Sequence, residues 1–190
     1  GLAGPASLAD VSHRVAHSLI GRSSRGWDEI TSEPVVILQY EKGGRFVFGS
    51  DKIGFEAFPH LGATVGNGYT YGALGTTLRI GSHLRKDSGA PRMRMITNGT
   101  NFPTPGSYFV WNLFTGVEGR IMGHNIMIDG NSFKDTSDVE SLHWVLDSQL
   151  GAELGWGAYR MSVMGVYRTK EFNDQEQDDV FLRAGFSAPL

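Results

Sequence analysis

Between positions 108 and 122 the chain alternates: Phe109, Trp111, Leu113, Thr115, Val117, Gly119 and Ile121 share one parity, and Asn112, Glu118 and Arg120 the other. Successive side chains of a β-strand point to opposite faces, so this stretch predicts a strand with one apolar face and one polar face. The same split recurs in 144–157, where Trp144, Leu146, Leu150, Leu154 and Trp156 oppose Asp147, Gln149 and Glu153. In 158–169 Tyr159, Met161, Val163 and Tyr167 oppose Arg160, Ser162 and Arg168, and in 180–188 Leu182 and Phe186 oppose Arg183. Upstream, Phe55, Ala57, Leu61, Ala63 and Val65 oppose Glu56, His60 and Thr64, while Leu74, Leu78 and Ile80 oppose Thr77, Arg79 and His83. A weaker version sets Val36, Leu38 and Tyr40 against Gln39 and Glu41. Seven strands are expected, near 35–42, 53–66, 70–84, 107–122, 144–157, 158–169 and 180–188.

Before the strands, 7–21 reads as a helix: Ser7 and Asp10 fit a capping box, Leu8, Val11, Val15 and Leu19 recur near helical spacing, and Gly21 is a stop. The stretch 22–34 clusters Ser, Gly and Asp, ends with Glu33 before Pro34, and reads as a loop.

A soluble sandwich or lipocalin-like barrel also alternates, because one face packs inward and the other meets water. Three features favour a membrane barrel instead. The patterned stretches run to about 12 to 16 residues, against about 5 to 6 in ordinary sheets. Aromatics stand at the ends of the apolar faces: Trp144 and Trp156 are twelve positions apart, which a tilted strand turns into about 30 Å along a membrane normal, near the spacing of two aromatic girdles. Charges of both signs gather on the opposite parity, interleaved with Gly62, Gly75, Gly151, Gly155 and Gly185, so that a narrow lumen would fill itself with ion pairs. The expected fold class is an all-β, antiparallel transmembrane β-barrel forming a single domain over 1–190, with one short helix in an outer loop. Seven strands leave an open edge, and unpaired backbone groups in hydrocarbon cost several kcal/mol each, so N-terminal strands are expected to be missing. Counting hairpins back from a periplasmic end puts 170–179, 124–143 and the helix of 7–30 outside.

Composition sharpens this reading. Glycine at 26 residues, 11% aromatic and only 19% charged residues suit a sheet-rich chain. A net charge of −3 with dispersed arginines gives no footprint for nucleic acid. No cysteine is present, which excludes a disulfide scaffold and a thiolate zinc site. No apolar run approaches the roughly 18 to 20 residues of a membrane-spanning helix. The start, GLAGPASLAD, has neither Met nor an apolar leader, so any export signal is expected to have been removed.

His17 could take a proton from water, since imidazole titrates near neutrality, although a lone histidine on an amphipathic helix is more often an ordinary surface group. Asp10, His13 and His17 share a helical face, with a metal-compatible His-x3-His spacing or merely a solvated polar face. Asp129, Asn131, Asp135 and Asp138 gather oxygen donors of the kind Ca²⁺ takes, or form a plain Asp-Gly-Asn turn. Arg168, Lys170 and Glu171 at a strand end could meet lipid phosphates or mark the interface.

Three stretches together, AHSLIGRSSRGWDEITSEPVVILQYE, IMIDGNSF and YRTKEFNDQ, resemble the outer-membrane lipid A 3-O-deacylase (LpxR) family. The similarity covers nearly the whole chain and about the last two thirds of a family member. The resemblance implies a twelve-stranded barrel, five strands upstream of the seven here, and a helix-bearing outer loop whose histidine, in the place of His17, is the catalytic base. It implies Ca²⁺ to polarise the scissile ester, held by an Asn-Asp pair and a hydroxyl residue on N-terminal strands that this chain lacks, so that no calcium ligand is carried over and the piece alone is expected to be inactive. It also implies an acidic residue in the loop, for which Asp28, Glu29 and Glu33 are all candidates, while Ser23 stands where one spacing would want a carboxylate. The family's usual Gln after Gly-Trp-Asp is replaced by Glu29-Ile30. The implied function is hydrolysis of the 3-linked acyloxyacyl ester of lipid A in the bacterial outer membrane by a monomer whose partner is lipopolysaccharide. The alternative is an inactive barrel of the same descent with a structural or lipid-binding role.

Overall fold

All seven expected strands stand side by side in one antiparallel sheet. The structure, a computed structural model, describes residues 2–3, 32–84, 109–131, 140–157 and 159–188. The strands are β1 (Leu2–Ala3), β2 (Glu33–Pro34), β3 (Ile37–Gly43), β4 (Phe46–Gly49), β5 (Gly54–Gly66), β6 (Tyr69–Gly81), β7 (Phe109–Asn125), β8 (Trp144–Trp156), β9 (Tyr159–Arg168) and β10 (Asp179–Ser187). β1 pairs with β2; the large sheet runs β10-β9-β8-β7-β6-β5-β3, with β4 also on β5. The helix expected over 7–21 lies outside the described residues.

Three local features depart from the expected pattern, the first being that Glu33–Pro34, in the stretch expected as a loop, pairs as β2 with β1. β3 and β4 share one register on β5, with Gly43 opposite His60 and Phe46 opposite Ala57, so the first strand continues past 42 to Gly49. It is interrupted because Gly44 N–H donates to the Pro59 carbonyl at 3.0 Å while Pro59 has no N–H to return. A four-residue helix, α1 (Ile126–Asp129), stands where only a turn was expected. Asn125 caps it through its side-chain oxygen, and Gly130, at φ 80°, ends it in a conformation that favours glycine.

The polarity of the sheet is inverted relative to a soluble protein. Leu150 is 68% exposed, Leu182 85%, Trp144 71% and Trp156 73%, whereas Arg120 is 1% exposed and Glu56, His60, Arg79, Asp147, Arg160 and Arg168 are buried. Water would penalise that outer face at about 25 cal/mol per Å² of apolar surface; acyl chains impose no such cost. Phe109, Trp156, Tyr159 and Phe186 form a continuous aromatic row at one end, Phe109 registered on Trp156, Trp156 on Tyr159, and Tyr159 stacked on Phe186 at 6.3 Å between ring centres. Trp144 marks the other end. No helix among the described residues is long and apolar enough to cross a membrane, and the strands are the crossing elements.

The inner face is filled by charge pairs and by side chains that lean over glycines. Asp147 accepts from Arg120 and from Arg168, the latter at 2.8 and 3.0 Å. Arg168 also reaches Glu171 at 3.4 Å and lies over the Phe181 ring. Glu56 binds Arg79 and Arg45, each at 2.7 Å, and His60 meets Glu118 at 2.8 Å. A Cβ on Gly151 would stand 2.3 Å from the Phe114 ring, and one on Gly75 2.8 Å from the His60 ring. Gly75 and Gly151 therefore make room for a neighbour's ring, whereas the expectation was that such glycines leave space for ion pairs. Phe114, Met164 and Val166 form a small apolar cluster on the same inner side.

Candidate functional site

At the end of the sheet that carries the 32–36 segment and the β7–β8 and β9–β10 connections, two chain segments, 33–36 and 124–126, converge on Asn67 and Gly68, the two-residue turn between β5 and β6. The Asn67 carbonyl takes His124 Nε2 at 3.0 Å and the Gly68 carbonyl takes the Ile126 N–H at 2.9 Å. The Asn67 side chain accepts from the Val36 N–H at 2.8 Å and donates to the Pro34 carbonyl at 2.7 Å and to Glu33 Oε1 at 3.1 Å. The other Glu33 oxygen accepts from Asn131 Nδ2 at 2.8 Å. Glu33 and Asn131 are both buried. A Cβ on Gly68 would stand 2.6 Å from Val35 Cγ1, so glycine is needed for the close approach of the two segments.

Asp129 closes the α1 turn: its Oδ2 accepts from the Asn125 N–H at 2.6 Å and lies 3.4 Å from His124 Nδ1. A carbonyl only accepts, so His124 Nε2 is the donor in its contact with Asn67.

Of the residues picked from sequence, Glu33 sits within this cluster as a buried acceptor of two amides. His17, Asp28, Asp10, His13, Ser23 and Glu29 lie outside the described residues, as do Asp135 and Asp138. Asp129 and Asn131 are neighbours in sequence that serve different partners, a backbone amide and Glu33 respectively. Arg168, for which contact with lipid phosphates or a place marking the interface was open, turns inward onto Asp147 and Glu171. Asn67 was not singled out from sequence, although Asn-Gly between alternating stretches is a strong hairpin signal.

Among the described residues no three His, Asp or Glu side chains converge within reach of one metal, and the oxygens of Glu33 and the Oδ2 of Asp129 accept from amides.

A profile of the family described as "Outer membrane protein LpxR" matches residues 1–188. Among solved structures, LpxR from Salmonella typhimurium matches with a TM-score of 0.82 and 18% identity, over 98% of this chain and 63% of its own. The chain thus spans less than two thirds of that relative, and at such identity the likeness speaks for the fold alone. No curated protein matches the chain.

Proposed function

Because the chain belongs to the LpxR family of outer-membrane proteins, we propose that its full-length form is a monomeric lipid A 3-O-deacylase that works in the outer leaflet. The observation that carries this reading is the inverted sheet, apolar outward and charged inward, joined to a family match over 188 of 190 residues. Such a wall lets the acyl chains of lipid A lie against the protein while the ester meets polar groups at the rim.

In this reading His17 is the general base. It takes a proton from water as the hydroxide equivalent attacks the ester carbonyl at the 3-position; the acyl carbon gains the hydroxyl, the carbon–oxygen bond to the sugar breaks, and the sugar oxygen leaves with a proton. Asp28 and Glu33 are the loop carboxylates that could assist. Further strands between the free edges of β3 and β10 would close the barrel, since open edges in hydrocarbon leave backbone groups unpaired. The isolated 190-residue stretch is accordingly expected to be inactive.

The test is extraction of lipid A from cells expressing the full-length protein and its His17→Ala variant. Wild type is expected to shift lipid A down by the mass of one acyloxyacyl group, and the variant to leave it intact. An unshifted wild type would favour the inactive structural barrel. Turnover of the detergent-solubilised enzyme with EGTA, then with added Ca²⁺, decides the metal: loss and recovery would add calcium to the scheme, and unchanged turnover would remove it.

A further inference from the structure

We propose that Asn67 and Asn131 form an amide clamp on Glu33 that fixes where the chain rejoins the sheet after the 4–31 stretch, and that Glu33 is a positioning residue, not the carboxylate that assists His17. The inference rests on the hydrolase reading above. Its basis is how many independent bonds converge on one short junction. Asn67 reads the backbone on both sides of Val35, through the Pro34 carbonyl and the Val36 N–H, and the Glu33 side chain as well. Asn131 grips the second oxygen of the same carboxylate from the far side of α1.

Neither amide is free to drift. Asn67 sits in a two-residue turn whose carbonyls are held by His124 and Ile126. Asn131 follows Gly130, whose φ of 80° turns the backbone after α1. An ionised carboxylate offers only acceptor sites, and two amide N–H groups suit it. Glu33 thereby ties three segments together: its own, the β5–β6 turn and the α1 turn. A general base must stand within hydrogen-bond reach of its water, and a misplacement of about 1 Å costs about a hundredfold in rate. Loosening the junction sixteen positions after His17 would therefore lower turnover without touching the chemistry.

Donor and acceptor exchange separates this from a catalytic role. In the full-length protein Asn131→Asp sets a second carboxylate against Glu33; turnover is expected to fall about tenfold to a hundredfold, and trypsin to cut faster after Arg14, Arg22 and Arg25. The double substitution Glu33→Gln with Asn131→Asp restores an N–H to oxygen bond with the roles reversed, and is expected to return both turnover and trypsin resistance to near wild-type levels. Gel mobility of the unboiled protein checks that each variant has folded. A double variant that regains trypsin resistance but stays inactive would overturn the positioning role, since a carboxylate at 33 would then be required by the reaction. An Asn131→Asp variant with unchanged turnover and unchanged cleavage would overturn the clamp. If the wild type itself leaves lipid A intact, the hydrolase reading fails, and the clamp is judged by cleavage alone: protection in wild type and double variant supports it, equal cutting in all three removes it.

Discussion

Asp147 holds two guanidinium groups, those of Arg120 and Arg168, on a face where both are buried. Removing one partner of a buried ion pair leaves an uncompensated charge, so Asp147→Ala is expected to destabilise the folded protein by about 3–5 kcal/mol. Asp147→Asn keeps the shape and part of the hydrogen bonding and should cost less. Urea titration of the unboiled gel shift in lipid vesicles would read both, and equal midpoints for wild type and the Ala variant would refute the network's contribution. Alternation in the sequence identified Asp147, Arg120 and Arg168 as facing one way. It did not reveal that they touch, because a period of two assigns faces but leaves strand register open. The Glu33 cluster was hidden for a related reason: its amide partners stand 34 and 98 positions away, distances at which no local spacing carries a signal. What could be read at 33 was only an acidic residue before a proline.

Along a single strand the two faces answer to different solvents. β8 makes this measurable, since Leu150 at its middle is outward and exposed while Gln149 beside it is inward and partly covered. Leu150→Arg is expected to cost about 2–4 kcal/mol in a bilayer, the value for arginine near the midplane of a barrel wall. Gln149→Ala should change stability much less, and the contrast is the check: comparable losses would mean that both faces sit in similar surroundings. The long strands were legible because each keeps its alternation over thirteen to seventeen residues, well beyond the length of an ordinary strand. The short pieces were not. β4 follows Gly43 and Gly44 and is only four residues long, so its link to β3 shows only in the shared register on β5. α1 is one turn of helix held by an Asn cap and an Asp that bonds back to Asn125, and such capping chemistry reads in sequence as an ordinary polar turn.

The whole sheet, seen from outside, is an oily wall with an aromatic row at one end and Trp144 at the other. Full-length protein is therefore expected to stay with the membrane pellet through an alkaline carbonate wash and to run faster on a gel before boiling than after; release into the wash would contradict a membrane-spanning sheet. The inner surface has a further consequence for how such proteins change over time. Several inward glycines sit against a neighbour's ring or guanidinium, as Gly75 does beside His60, Gly151 under Phe114 and Gly155 beside Arg160, so bulk on one strand is matched by its lack on the next. The outward positions ask only that a side chain be greasy. Under those two rules letters can be traded, outward ones singly and inward ones in compensating pairs, and a lineage can rewrite most of its text while the shape it spells stays the same.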